Sequence, residues 1–306
     1  MRYFLVIFLA GVVTGCSTLP DSAKITSFGS AVEQSGQSLE TIAAENLRVA
    51  LLSDQEKEAV NYVTGVEYKV LSRPAYRIAE REFTFRRSQL KALAGYGAAL
   101  KDAADPKKLQ DIKDASSKLA SAVGGIVVTL APGGAAIVTP VLNAAGKGAG
   151  IVINNRYARQ INGLIAETDP YVQAAVKNLK TDFHTINENS RRRLDAYEKN
   201  TWLALSEVRS KPVEVTAPDG AKKTELQVRD PEHLTPLYAQ FIEANKRIVE
   251  ATTALEAAQK AEGALDKIAA AHSALKEGTA TADPSIEDLI SFSDDLAALA
   301  SATKGK

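Results

Sequence analysis

The side chains most often recruited for catalysis are few here: three histidines and one cysteine in 306 residues. His184, His233 and His272 lie far apart, in none of the spacings that hold a metal or raise a nucleophile. His184 follows Phe183, has only Glu188 near enough to pair with, and is expected at a surface. No Gly-x-Ser-x-Gly elbow is present, so the usual esterase layout is missing. Gly146-Lys147-Gly148-Ala149-Gly150 has the glycines of a phosphate loop. It lacks the glycine four residues earlier, the Ser or Thr that should follow the lysine, and a preceding strand; a small-residue helix end is expected there. Arg191, Arg192 and Arg193 could grip a phosphate, but Glu188 and Glu198 stand at helical distance, so a solvated face with local ion pairs is expected. Carboxylate pairs such as Asp294-Asp295 are ordinary on helix surfaces. The sequence therefore predicts no catalytic residue, no metal site and no cofactor, and a cell-wall hydrolase lacks any visible constellation.

The cysteine points to a different chemistry. Cys16 closes the run Val13-Thr14-Gly15-Cys16, which ends a segment carrying one positive charge, Arg2, and an apolar stretch from Tyr3 to Val13. Such a layout reads as a secretory signal peptide, too short to remain as a spanning helix. Small residues before a cysteine at the end of this segment resemble the lipobox of bacterial lipoprotein precursors. The resemblance rests on about the first 18 residues and implies cleavage before Cys16, a diacylglycerol on its sulfur and an acyl chain such as palmitate on its new amino group. By the sorting habit of that family, Ser17 rather than Asp favours the outer membrane, with the protein on the periplasmic side. The expected organisation is a signal peptide over 1–15, a lipidated tether over 16–35 rich in Ser, Gly and Thr, and a helical bundle domain over 36–306.

Composition narrows the remaining options. Basic and acidic residues balance at 37 each, and removal of Arg2 tips the mature chain by one charge toward acid. Without a basic surplus, a general nucleic-acid role is excluded, and anchoring falls to the acyl chains, each buried methylene contributing about 0.8 kcal/mol. With a single cysteine there is no internal disulfide, so an exported chain must be held by its apolar core.

Aromatic residues are scarce and alanine abundant, which favours helix. Asp169 before Pro170 predicts a helix start, and Val172, Val176, Leu179, Phe183, Ile186, Leu194, Tyr197, Leu205 and Val208 draw one stripe as far as Pro212. About 40 residues would make a rod of roughly 60 Å. Asp230-Pro231 predicts a second long helix with Leu234, Leu237, Phe241, Ile248, Val249, Leu255, Leu265, Ile268 and Leu275 on its apolar face and Gly263 as a weak point. Ser53 to Glu56 reads as a capping box. Segments near 38–52, 76–104, 106–118 and 285–300 also read as helices. Between Pro212 and Val228, the alternation of Val213 and Val215, the Pro218-Asp219-Gly220 turn, then Leu226 and Val228 predict a small β-hairpin. The fold class is thus all-α: an elongated bundle of long amphipathic helices, coiled-coil-like, with a central apolar helical hairpin and a small β-hairpin insertion.

That central hairpin spans Leu119 to Gly146, an interval without one charged residue. Pro132, Gly133 and Gly134 mark a turn between two apolar arms, and Val127, Val128, Leu130, Ile137 and Val138 are its candidates for insertion into a membrane or a partner. Small residues recur every four positions at Ser121, Gly125 and Thr129, then at Ala136, Ala144 and Gly148, a spacing that lets helices approach closely. Each arm is too short to cross a bilayer as a helix, and the same pattern suits a helix buried in a soluble bundle. An apolar hairpin carried between long amphipathic helices resembles, in architecture alone, the α-helical pore-forming toxins of the cytolysin A type. Two functions stay open: a lipid-anchored, non-enzymatic scaffold or binding protein of the cell envelope, partnered by another envelope protein or a second copy, and a membrane-active protein that inserts residues 119–146.

Overall fold

Alanine, more than any larger apolar residue, sets how these helices pack. The computed structural model describes residues 22–63, 65–68, 73–104, 112–130, 155–228, 231–278 and 282–303. Within them run six helices, α1 (Ser22–Val63), α2 (Arg73–Ala104), α3 (Ile112–Leu130), α4 (Asn155–Arg209), α5 (Pro231–Glu277) and α6 (Ala282–Thr303). Strands β1 (Ser210–Thr216) and β2 (Lys222–Val228) stand between α4 and α5. The fold class is all-α, as expected. With 55 residues, α4 makes a rod of about 80 Å, longer than the stripe alone predicted.

Along α5, Ala244, Ala251, Ala254, Ala258, Ala261, Leu265, Ile268, His272 and Leu275 are all buried. Their spacings of three, four and multiples of seven are those of a coiled-coil seam. Small side chains there bring α1 and α4 close on either side, so the packing is made by what α5 lacks. The large residues expected on its core face divide accordingly: Leu265, Ile268 and Leu275 are buried, whereas Phe241 and Val249 are exposed. Gly263 does not break the helix; it receives the Phe292 ring of α6, and a Cβ placed there would lie 3.3 Å from it. On α4, Val172, Val176, Leu179, Phe183, Ile186, Leu194 and Tyr197 are buried as the stripe predicted.

Both helix-start signals placed inside longer helices are overridden. Asp169-Pro170 lies in the middle of α4, and Ser53 to Glu56 lies inside α1. In each case tertiary contacts claim the carboxylates that would have capped: Asp169 reaches His272 and Lys276, and Glu56 reaches Thr201 of α4. Pro170 removes one helical hydrogen bond, and the packing of α4 on α5 carries the helix through it. The tether expected over 16–35 is also corrected where it is described. From Ser22 the chain is helical, with Ile25, Phe28, Ala31 and Val32 in the core. Its glycines serve contact rather than flexibility, since a Cβ on Gly29 would meet the Gly97 carbonyl oxygen at 2.5 Å, and one on Gly97 would meet that of Gly29 at 2.6 Å.

The β-hairpin forms as the sequence predicts, two residues longer at its start. Val213 pairs with Glu225 and Val215 with Lys223 in antiparallel register. The turn closes through Gly220 N–H donating to the Ala217 carbonyl at 2.9 Å, with Gly220 at φ +81°. Because α1 and α4 run parallel and α5 antiparallel to both, the C-terminal ends of α1 and α4 and the start of α5 gather beside this hairpin. This is the hairpin end of the rod; the opposite end, where α2, α3 and α6 also pack, is its hub.

Candidate functional site

Two places in the molecule concentrate groups that could act on something else. The first is in the hub. His272 of α5 accepts or donates at Nε2 to the Tyr96 hydroxyl of α2 at 2.8 Å, and its Nδ1 lies 3.0 Å from Asp169 Oδ1 of α4. Lys276 donates to the other Asp169 oxygen at 2.9 Å, and Gln173 donates to Oδ1 at 3.2 Å. The Tyr96 hydroxyl is also 3.0 Å from Thr168 Oγ1, while Phe28 of α1 sets its ring edge-on to the imidazole at 5.6 Å.

The protonation pattern follows from these contacts. Burial would raise the Asp169 carboxyl, but the hydrogen bonds from Lys276, His272 and Gln173 together hold it below the usual carboxylate range. Burial pulls the His272 imidazole down against the opposing pull of Asp169, so it is neutral near pH 7. The same burial pushes the Tyr96 phenol far above its ordinary range. An anionic Asp169 therefore fixes the proton on Nδ1, and the tyrosine hydroxyl donates to Nε2.

Hydroxyl, base and orienting carboxylate in this order form the chain used to activate nucleophiles. Its surroundings deny it that use in the observed conformation. His272 and Tyr96 are 0% and 1% exposed, so no substrate touches the hydroxyl. What the cluster does is join α2, α4 and α5 through polar contacts, with the Phe28 ring of α1 set against the imidazole, which fixes their register. The sequence carried the signal: His272 continues the spacing Leu265, Ile268, Leu275, hence belongs on the buried face. His184, by contrast, is exposed as expected and stands 3.7 Å from Glu262. His233 falls in the first turn of α5.

The second place is the hairpin end. Among the described residues, the exposed large apolar side chains other than Val128 are at this end: Tyr62, Val66, Tyr68, Leu203, Leu226, Tyr238, Phe241, Ile242 and Val249. Tyr62 and Tyr68 meet edge to face at 5.1 Å, and Trp202 and Phe241 approach to 5.2 Å. Between α1, α4 and α5 opens a cleft of about 500 Å³. Its floor is Tyr197, Thr201 and Ala244, all buried, and its walls include Ala59, Val60, Ala204 and Leu205. Burial raises the Tyr197 phenol, and the nearby Glu56 carboxylate raises it further.

The candidates for insertion divide. Val127 is buried with Leu119, Val123 and Ile126, which makes the first arm, in α3, part of the core. Leu130 packs against that core and Val128 is 55% exposed. The expected close approach through Ser121 and Gly125 is not made: Ser121 is exposed, and a Cβ on Gly125 would find its nearest neighbour, on Ala92, at an ordinary 3.8 Å. Pro132, Gly133, Gly134, Ile137, Val138, the glycine-rich 146–150 and Cys16 lie outside the described residues. The arginine run is split by role. Arg192 faces Glu188 at 3.8 Å, while Arg193 bonds across to α1 at Asp54, 3.1 Å, and the Ala50 carbonyl, 3.0 Å.

Among the described residues no helix is long and apolar enough to cross a membrane, and no group of three or more metal-ligating side chains is assembled. Compared with known protein families, curated proteins and solved structures, the chain matches none.

Proposed function

We propose that this protein is a lipid-anchored, non-enzymatic scaffold on the periplasmic side of a bacterial outer membrane, holding another envelope component at its hairpin end. The observation that carries this is the division of the rod. The polar constellation capable of chemistry is sealed in the hub, and among the described residues nearly all the exposed large apolar side chains are gathered at the other end. Exposed apolar residues in such concentration mark contact surfaces. The anchoring rests on Val13 to Cys16, and α1 begins at the hub, so the surface would be presented roughly 50 Å or more from the lipid. Insertion of residues 119–146 into lipid is the competing function; burial of Val127, Val123 and Ile126 in the core supports the scaffold over it for the first arm.

Two measurements test the proposal. Labelled palmitate should be incorporated by cells making the wild type and not by cells making Cys16→Ser, with the labelled chain in the outer-membrane fraction. The purified protein should not release dye from liposomes. Absence of label removes the anchor; dye release that Ile137→Asp abolishes without unfolding the chain replaces the scaffold by the membrane-active function.

A further inference from the structure

The cleft at the hairpin end has the form of a missing neighbour. Its α5 lining includes Gln240, Ala244 and Arg247, which extend by threes and fours the same seam that runs through Ala251, Ala254 and Ala258 to the hub. Its α4 lining includes Tyr197, Thr201, Ala204 and Leu205, and α1 gives Glu56, Ala59 and Val60. Farther toward the hub these inward positions face side chains of neighbouring helices. At this end they face a space lined by alanines, about 12 Å long on α4 and α5, or about two helical turns. A space of this size takes several large apolar side chains, as a helix presents them at spacings of three and four.

Charge decides what else the occupant carries. Arg247 is matched by Glu243 at 3.0 Å. Glu56 has only the Thr201 hydroxyl, at 3.4 Å, and no cation within ion-pair distance among the described residues. Among the described residues, the cleft therefore holds one unmatched negative charge beside apolar walls.

We infer that this cleft seats an amphipathic helix of a partner protein, with large apolar side chains filling the space over Ala204 and Ala244 and a lysine or arginine pairing with Glu56. The inference rests on the binding function proposed above and gives its partner a chemistry.

The test uses the full chain in detergent and two synthetic peptides of about four helical turns, one of leucine and lysine in a three-four pattern and one of leucine and glutamate in the same pattern. Binding is read by fluorescence anisotropy of the labelled peptide. The lysine peptide should bind with a dissociation constant below about 100 µM and the glutamate peptide should not. Ala204→Trp should abolish binding by filling the cleft, and Glu56→Gln should weaken it about fivefold. Ala239→Trp does the same filling from an exposed position, which preserves the test if Ala204→Trp fails the circular dichroism check on folding. Failure of the lysine peptide to bind, or binding indifferent to both the tryptophans and Glu56→Gln, overturns the inference. Liposome leakage, measured on the same preparation, separates the two proposals. A chain that takes no peptide and leaks nothing loses only the cleft assignment, whereas one that takes no peptide and leaks loses the scaffold function as well.

Discussion

The hub and the hairpin end are built from the same helices and treat their inward faces in opposite ways. At the hub, α5 presents Leu265, Ile268, His272 and Leu275 to large partners, Phe28, Tyr96, Leu179 and Phe183 among them, and every one of these is buried. At the hairpin end the same α5 seam presents Gln240, Ala244 and Arg247, and the space over them is open. Meanwhile its large residues, Tyr238, Ile242 and Val249, face solvent. One end is a finished core with a polar lock inside it. The other keeps large apolar side chains in solvent beside an open cleft. A helix that changes which of its faces is apolar along its length cannot be understood from an average over the whole segment.

The comparison can be broken most directly at the hub's closest contact. Gly29→Leu should destabilise by about 3 kcal/mol or more, because its first side-chain atom would sit 2.5 Å from the Gly97 carbonyl oxygen, and backbone must move to admit it. Val127→Asp should cost a similar amount by placing a charge in the core, while Val128→Asp next to it should change stability by less than about 0.5 kcal/mol. Thermal unfolding followed by circular dichroism measures all three. Equal effects at 127 and 128 would deny that α3 is packed in solution as described.

Somewhat smaller is the effect of opening the polar lock. Asp169→Ala leaves His272 buried without its carboxylate and is expected to cost about 3 kcal/mol in urea unfolding at pH 7. The pH dependence sharpens the point, with the sign fixed by direction. His272 is lowered from 6.5 in the folded chain. Above that value both states are neutral and the histidine contributes nothing to the pH dependence. As pH falls below it, the unfolded chain takes up a proton that the folded chain resists, so stability falls until the lower folded pKa is reached. Asp169, lowered from 3.8, adds stability that is present above that value and lost as pH falls through its folded pKa. His272→Gln should remove the first loss, seen as a flatter urea midpoint between about pH 7 and pH 5. An unchanged slope would show that the histidine is not the group that senses acid.

The smallest effect is expected at the hairpin end. Leu226→Ser, at a side chain 76% exposed, should shift stability by less than about 0.5 kcal/mol. Tyr238→Ser should behave likewise. If either destabilised the chain substantially, that end would be a core in solution and not a free surface.

Much of the fold was legible before any coordinates. The α4 stripe from Val172 to Tyr197 faces inward as its spacing required, and the Pro218-Asp219-Gly220 turn sits where a hairpin needs a positive φ. The errors share a cause. Asp169-Pro170 and Ser53 to Glu56 are sound local signals for a helix start, yet a neighbouring helix offers Asp169 a histidine and a lysine, and offers Glu56 a threonine. Serine, glycine and threonine over 16–35 suggested a tether, but Gly29 against Gly97 is a contact between helices. The candidate sites divide in the same way. Nothing local distinguishes Val127 from Val128, whereas His272 could have been assigned to the core from its seam position alone.

By itself the sequence determined what depends on a residue and its near neighbours: helix over most of the described length, a tight turn at Gly220, and the absence of motifs with catalytic spacing. The lipobox resemblance at Cys16 is likewise a property of a few adjacent residues. Only the tertiary structure decided where helices begin when an interior carboxylate has a distant partner. It decided too that Phe241 and Val249 of α5 are exposed while Leu265, Ile268 and Leu275 are core, and that Tyr96, Asp169 and His272 form one cluster. Those outcomes depend on pairs far apart in the chain, as Tyr96 and His272 are. Their contact free energies exist only once the helices are side by side, so no local propensity could have revealed them.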